Sequence, residues 1–461
     1  MNNIGAKIKQ LRKQGDVTQE KLAETLGVTG QAVSRWENEN DYPDIEYITP
    51  IAKYFNVSTD YLFDYSSEGT STGSRDFEKR LQDIAERLKS KGMRVKDIAE
   101  VTGLSVEKIM HHPNDMMTLI HVEPIRLCFG YNLISLVDAS QGGDLLERMV
   151  EIRRNIALEL GSIIPMIRVQ DNTRIGPNEY AIYIKGTEVA AGTILPDKFM
   201  AINSGITPIE DDLDGIETAD PIIGRPAKWI TDSQREQAKD AGYTVVDPAG
   251  IMATHLTESV RKHLHELLSR QDVHHLVNNI KENHPVLVDE LIPNHMSIGD
   301  VQKVLAKLLK EGVSIRDLVS ILDTLADYAP VTHDTDMLTE YVRASLRRPI
   351  SKKFFPNSEH KVITLAPELE KSLTDNIKKT EMGSFVSISQ EASQRLFDNL
   401  KIEADKLINM GEPPIVLTSP FVRMYFKQLV EEIQPDLVVL SYGEIDHTVR
   451  VHSVGMVAIN K

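Results

Sequence analysis

Apolar residues at Ile4, Ile8 and Leu11 stand three or four positions apart, the spacing of one helix face. Leu22, Ala23 and Leu26 predict a second helix, with Thr18 placed to cap its start and Gly27 to end it in a left-handed conformation. After the short turn Val28-Thr29, Val33 and Trp36 mark the inward side of a third helix over Gly30 to Glu37. That leaves Gln31, Ser34 and Arg35 pointing outward. Pro43-Asp44 opens a fourth helix, Ile45 to Phe55, and Ser58 to Phe63 forms a fifth.

The pattern then breaks at Ser66-Ser67-Glu68-Gly69-Thr70-Ser71-Thr72-Gly73-Ser74, which is small, polar and linker-like. Phe77, Leu81, Ile84, Ala85 and Leu88 restart a helical stripe. Two short helices, Val95 to Val101 and Ser105 to Met110, are expected around Thr102-Gly103-Leu104. From about His121 the texture becomes mixed. A helix from about Gly143 to Leu160 precedes the alternating strand Ala181 to Lys185, closed by Gly186. Ser297-Ile298-Gly299-Asp300 and Ser314-Ile315-Arg316-Asp317 read as capping boxes, each before an apolar-faced helix. Strand Pro414 to Leu417, helix Phe421 to Ile433 and strand Leu437 to Ser441 spell a parallel crossover, with a last strand near Val449 to Ile459. The acidic run Glu210 to Glu217 is expected to be a solvated loop.

At 461 residues the chain predicts two to four domains. A formal charge of −16 argues against nucleic acid coating the whole surface, so any such contact must be local. Residues 1–40 carry six cations against five carboxylates, net +1, which separates that segment from the acidic remainder. The single cysteine, Cys128, excludes an internal disulfide framework and a thiolate zinc site within one chain. No phosphate-binding loop or nucleophile elbow is present, so an enzyme is not expected. His255, His263, His265, His274 and His275 lack the spacing of a metal site beside an acid, and His111-His112 stand without partners. No cofactor or metal is expected. No run reaches the ~18 apolar residues of a membrane span, and a cytoplasmic location is the expectation.

The first 64 residues resemble the Xre/Cro phage-repressor helix-turn-helix family. The residues that carry this are Thr18 to Ala23, Gly27-Val28, Gln31 to Glu37, Pro43-Asp44 and Asn56 to Leu62. The resemblance implies DNA binding through the third helix. Gln pairs with adenine and Arg with guanine or phosphate, so Gln31, Ser34 and Arg35 are candidate readers. Thr29 joins the DNA-binding set, and Gln19 is implied to meet phosphate. Packing against protein alone is the competing use of such a module. With so little net charge, assembly is expected to supply avidity.

From about Ile125 onward the chain resembles the cytoplasmic domain of the FlhA family, the type III flagellar export gate. Supporting segments include Val169 to Asn172, Gln234 to Ala238, Ala241 to Asp247, Ala253-Thr254-His255-Leu256, Glu266 to Gln271 and Glu311 to Asp317. The resemblance implies a four-lobed docking platform that assembles as a ring and receives export chaperones with their substrates. The implied fold is multidomain: an all-α helix-turn-helix domain (1–65), a linker and short helical segment (66–120), and α/β and α+β lobes (121–461). The lobes are expected at about 121–198 with 248–267, 199–247, 268–347 and 348–461. The implied docking cleft falls on Asp220, Ile223 and Thr254, with Ile223 replacing the family's aromatic residue. Asp220 also suits a plain turn before Pro221. The resemblance implies a membrane half ahead of this domain; the sequence has a helix-turn-helix-like module at that place, so export-gate function proper is not the expectation.

Two functions are weighed. One is a DNA-binding transcriptional regulator, a homo-oligomer whose FlhA-like body docks flagellar or type III export components. The other is a soluble accessory of type III secretion that binds export chaperones and substrates and uses the helix-turn-helix for assembly.

Overall fold

The computed structural model describes residues 4–15, 17–26, 28–38, 43, 45–55, 122–203, 213–357, 359–380 and 383–458. The chain divides after His121 into two units, each described by itself. The Gly27 cap, the fifth helix, the linker 66–74, the helical segment 75–112 and the pair His111-His112 lie outside the described residues.

The first unit contains α1 (Ile4–Gln14), α2 (Gln19–Leu26), α3 (Gly30–Glu37) and α4 (Ile45–Tyr54). Its core is the set that the spacing singles out: Ile8, Leu22, Val33 and Ile51 are fully buried, with Ile4, Leu11 and Trp36 nearly so. Thr18 Oγ1 accepts from Lys21 N at 3.2 Å, which caps α2. Gly5 lets α1 cross α3 closely, because a Cβ there would lie 1.8 Å from the Trp36 carbonyl oxygen.

The second unit opens with a sheet of order β2-β1-β3-β4, formed by β1 (Ile125–Phe129), β2 (Ile167–Asp171), β3 (Glu179–Ile184) and β4 (Thr187–Thr193). β1 and β2 are parallel and the other pairs antiparallel. The β3–β4 turn is Lys185-Gly186, both at positive φ (48° and 82°), the geometry that matches the twist of a two-residue hairpin. α5 (Leu145–Leu160) buries Leu145, Met149, Ile152, Ile156 and Leu160 at helical spacing.

A second sheet, of order β6-β7-β5-β8, follows: β5 (Phe199–Asn203), β6 (Ile216–Ala219), β7 (Pro226–Ile230) and β8 (Tyr243–Val246), all antiparallel, with α6 (Arg235–Asp240). Of the run Glu210 to Glu217 read as a solvated loop, 210–212 lie outside the described residues and Asp214 to Glu217 are exposed, but the loop reading is corrected at two points. Ile216 and Glu217 lie in edge strand β6, and Leu213 is 3% exposed in the core of this lobe. One apolar residue with a core to fill outweighs the charge around it. The chain returns through α7 (Pro248–Lys262) and α8 (Leu264–Leu267).

The third lobe is helical: α9 (Arg270–Asn283), α10 (Pro285–Leu291), α11 (Ile298–Lys310), α12 (Leu318–Tyr328) and α13 (Thr335–Ser345). Ser297 and Asp300 form the expected reciprocal cap of α11. The matching reading at Ser314 is corrected. α12 begins at Leu318 and Asp317 is its cap, accepting from Ser320 N at 3.2 Å. Ser314 instead faces the end of α5. Its Oγ donates to Glu159 O (2.8 Å), Ile315 N donates to Leu160 O (2.9 Å), and Arg316 Nη1 donates to Leu158 O (3.0 Å). A segment from another lobe thus satisfies three terminal carbonyls of α5. Gly161 (φ +77°) makes room, since a Cβ there would lie 2.6 Å from Arg316 Cα.

After α14 (Arg347–Phe354), the last lobe has a parallel sheet of order β13-β12-β9-β14: β9 (Glu359–Leu365), β12 (Ile415–Thr418), β13 (Val438–Ser441) and β14 (Arg450–Val457). The hairpin β10 (Ile377–Thr380) and β11 (Gly383–Val386) and the helices α15 (Pro367–Asp375), α16 (Gln390–Asn409) and α17 (Pro420–Glu431) complete it. The crossover β12–α17–β13 has the parallel geometry that the sequence predicts.

A buried ion cluster joins the third and fourth lobes. Arg423 of α17 pairs with Glu311 (2.6 Å) and with Glu340 of α13 (2.6 Å from Nε), while Arg343 of α13 pairs with Glu444 (2.7 Å). Arg343 and Arg423 are each 1% exposed. Burial drives the Glu311 carboxyl upward, but Arg343 and Arg423 override it and hold the pKa at about 2. Glu340 goes the other way. Three carboxylates share two guanidiniums, and burial together with Glu444 holds it above the usual range.

Candidate functional site

In the first unit, α3 presents Gln31 and Arg35 exposed and Ser34 half-buried, while Val33 and Trp36 anchor the opposite side. Thr29 is exposed and caps this helix, its Oγ1 accepting from Ala32 N at 3.3 Å. The N-terminal turn of α3 is thus held in shape by Thr29, one of the candidate DNA-binding residues. Gln19 has a second task. Its Nε2 donates to Glu37 Oε2 at 2.7 Å. Glu37, 4% exposed, also accepts from Arg12 Nε (2.5 Å) and Nη2 (2.9 Å). Burial alone would raise the Glu37 carboxyl; the bonds from Arg12 and Gln19 outweigh it and lower the pKa. This clamp ties α1, the start of α2 and the end of α3. One amide N–H of Gln19 remains for an outside acceptor. Sequence reasoning missed the clamp, because nothing in the pattern distinguishes Glu37 from a solvated acid.

In the second unit the three cleft residues have different fates. Asp220 is 4% exposed, and its carboxylate accepts from Ile222 N (3.1 Å) and Ile223 N (3.4 Å). Gly224 N donates to Asp220 O (2.9 Å), and Gly224 takes φ +69°. Asp220 therefore builds a turn whose tip, Ile223, is 62% exposed. Thr254 is exposed on α7, with Oγ1 donating to Gly250 O at 2.8 Å. Its neighbour His255 is 7% exposed and lies 2.7 Å, Nδ1 to Oη, from the buried Tyr180. Burial, reinforced by the charge of Asp220, raises the Tyr180 pKa. Burial lowers that of His255 against the opposing pull of Asp220. With both groups neutral, the tyrosine O–H donates to Nδ1 in the tautomer whose one imidazole proton sits on Nε2. Asp220, Tyr180 and His255 thus link the turn, β3 and α7. His255 was visible only as part of Ala-Thr-His-Leu, and Tyr180, just ahead of the alternating strand from Ala181, carried no signal of their contact.

Among the described residues no group of His, Cys, Asp or Glu is arranged to hold a metal ion, and no helix is long and apolar enough to cross a membrane.

Comparison with known proteins places both units. A Helix-turn-helix family model matches residues 8–62, and the FHIPEP family model matches residues 72–450. The flagellar biosynthesis protein FlhA of Bacillus subtilis is 49% identical over 348 residues, which cover 75% of this chain and 51% of that protein. FlhA of Escherichia coli is 35% identical over 317 residues, covering 68% of this chain and 45% of that protein. The chain spans about half the length of the curated relatives it matches. Among solved structures, the Chlamydia pneumoniae CdsV protein aligns with a TM-score of 0.65 at 26% identity, covering 73% of this chain and 98% of that chain. The nonameric EPEC SctV-C aligns with a TM-score of 0.61 at 22% identity, over 73% of this chain and 99% of that one. The chain belongs to the FHIPEP family and carries a helix-turn-helix module ahead of the family's FlhA-like body.

Proposed function

We propose that this protein is a sequence-specific DNA-binding transcriptional regulator of the Xre type, a homo-oligomer whose FlhA-like body docks components of type III export. The observation that carries the reading is α3, which presents Gln31 and Arg35 outward on a helix-turn-helix module joined to a FHIPEP-family body. A docked partner would alter DNA affinity only if it binds the DNA-competent state and the other state unequally. CdsV has been solved in complex with CdsO, and the EPEC SctV-C is nonameric. Both support a body that assembles and binds partners. The reading is one of binding rather than catalysis. The strongly shifted groups Glu311 and Arg423 are paired with one another inside a joint between lobes.

The test is selection of DNA sites by the full chain, followed by binding over a salt series. A preferred sequence is expected, and Gln31→Ala and Arg35→Ala should each cost about 1–3 kcal/mol of discrimination at one base pair. No sequence preference at any salt overturns the reading.

A second reading, an accessory that binds export chaperones and substrates, is favoured by the exposed Ile223 at the tip of the Asp220 turn. Because Asp220 shapes that turn, Ile223→Glu is the substitution that probes the surface. Loss of co-purifying export chaperones with this variant supports the second reading, and their retention removes this cleft from it.

A further inference from the structure

We propose that a cavity where the first, third and fourth lobes meet is a docking site for an acidic polypeptide segment bearing apolar side chains, separate from the Asp220 cleft. The cavity has a volume of about 770 Å3. Its walls are apolar: Leu158 from α5, Val313 from the loop after α11, and Leu346, Pro349, Ile350 and Phe354 from and around α14. Leu158 is 51% exposed, so a large apolar side chain already faces solvent there.

The rim decides the chemistry of the occupant. α14 reads Arg-Arg-Pro-Ile-Ser-Lys-Lys-Phe, four cations and no acid, in a chain of formal charge −16. Arg316 and Lys352 line the cavity and are exposed; Arg347 and Arg348, also exposed, lie on α14 outside its lining. Among the described residues, none of these four has an ion-pair partner. Both carboxylates at the cavity are already engaged. Glu159 pairs with both terminal nitrogens of Arg261, and Asp317 caps α12. Lys353 is held by the Gly312 carbonyl (2.6 Å). What is left unpaired is positive.

Unpaired cations beside an apolar hollow fit a ligand with carboxylates set next to apolar side chains. A nucleic-acid backbone supplies the charge but has no apolar group for Leu158, Val313 and Phe354. The occupant is assigned to a partner polypeptide; an acidic surface on a second copy of this chain, of formal charge −16, would meet the same cations, and that is an outcome of the test.

The experiment titrates the full chain with a labelled synthetic helix that carries glutamates on one face and leucines on the other. Saturable binding is expected, weakening with salt. It should fall at least about tenfold in Arg347→Glu/Lys352→Glu and in Leu158→Glu. Arg347 and Lys352 have no side-chain hydrogen bond or ion pair among the described residues, Leu158 contributes only its half-exposed wall, and Ile223→Glu, at the Asp220 turn, should bind as the parent does. No binding by the parent, or binding that survives both sets of substitutions, overturns the proposal. So does displacement of the peptide by a random DNA duplex or by decanoate at equivalent occupancy, which would assign the site to nucleic acid or to a small anionic amphiphile. Self-association that blocks the peptide and is lost in Leu158→Glu would give the surface to a second copy instead.

Discussion

His255 shows how one residue can be read for its motif and still conceal its work. Its place in Ala-Thr-His-Leu is visible in the sequence, but its burial against Tyr180 is not. The lowered pKa has a definite consequence for pH. The unfolded chain takes up a proton on this imidazole at about pH 6.5, before the folded chain does. Stability from keeping His255 neutral is therefore fully present above that pH and is lost as the pH falls toward the folded value. His265 shifts in the same direction. Urea melts of parent and His255→Gln between about pH 7 and pH 5 should show a shallower loss in the variant. Equal slopes would mean that His255 does not carry the dependence. At the same scale, Glu37 and Asp220 both appear in sequence as ordinary acids. In the structure each is 4% exposed and holds backbone or side-chain donors in place.

Among elements, those set by periodicity and local chemistry were legible in the sequence. α3 spans Gly30–Glu37 as its apolar spacing predicts, α11 is capped by Ser297 and Asp300, and the crossover β12–α17–β13 lies where its apolar blocks fall. Elements whose ends are set by a distant partner were not. Ser314 has the sequence of a cap, and its hydroxyl is drawn away by the open carbonyls of α5, a helix more than 150 positions earlier. β6 was hidden because it is only four residues long and its start falls inside an acidic run, yet edge pairing with β7 needs only the backbone. Hydrogen exchange separates the two roles of the loop. Ser314→Ala should speed exchange at the last amides of α5 and leave the first turn of α12 unchanged, whereas Asp317→Ala should do the reverse. The cap change should cost about 1 kcal/mol.

For the molecule as a whole, the body behaves as lobes pinned to one another by polar joints over a shared core. Arg423 is the central pin between the third and fourth lobes. Arg423→Ala would leave Glu340 buried without its cation and Glu311 with Arg343 alone, at a cost of about 3–5 kcal/mol. A urea melt should record that loss, and a change under about 1 kcal/mol would show that the cluster relaxes or hydrates instead. The Glu311 contribution has its own signature in pH. With its folded pKa lowered from 4.5 to about 2, the stabilisation is fully present above about pH 4.5 and is lost progressively as the pH falls from there toward about 2. The loop from Glu311 to Asp317 joins both pins. Glu311 reaches the arginines, the Gly312 carbonyl receives Lys353, Ser314 to Arg316 close α5, and Asp317 starts α12. Seven residues reach at most roughly 23–25 Å when fully extended, and almost every one already has a fixed attachment. The loop therefore has no slack. It acts as a key cut for two locks, and adding or deleting a residue there would turn one lock out of phase with the other. Length variation in this body must accumulate elsewhere.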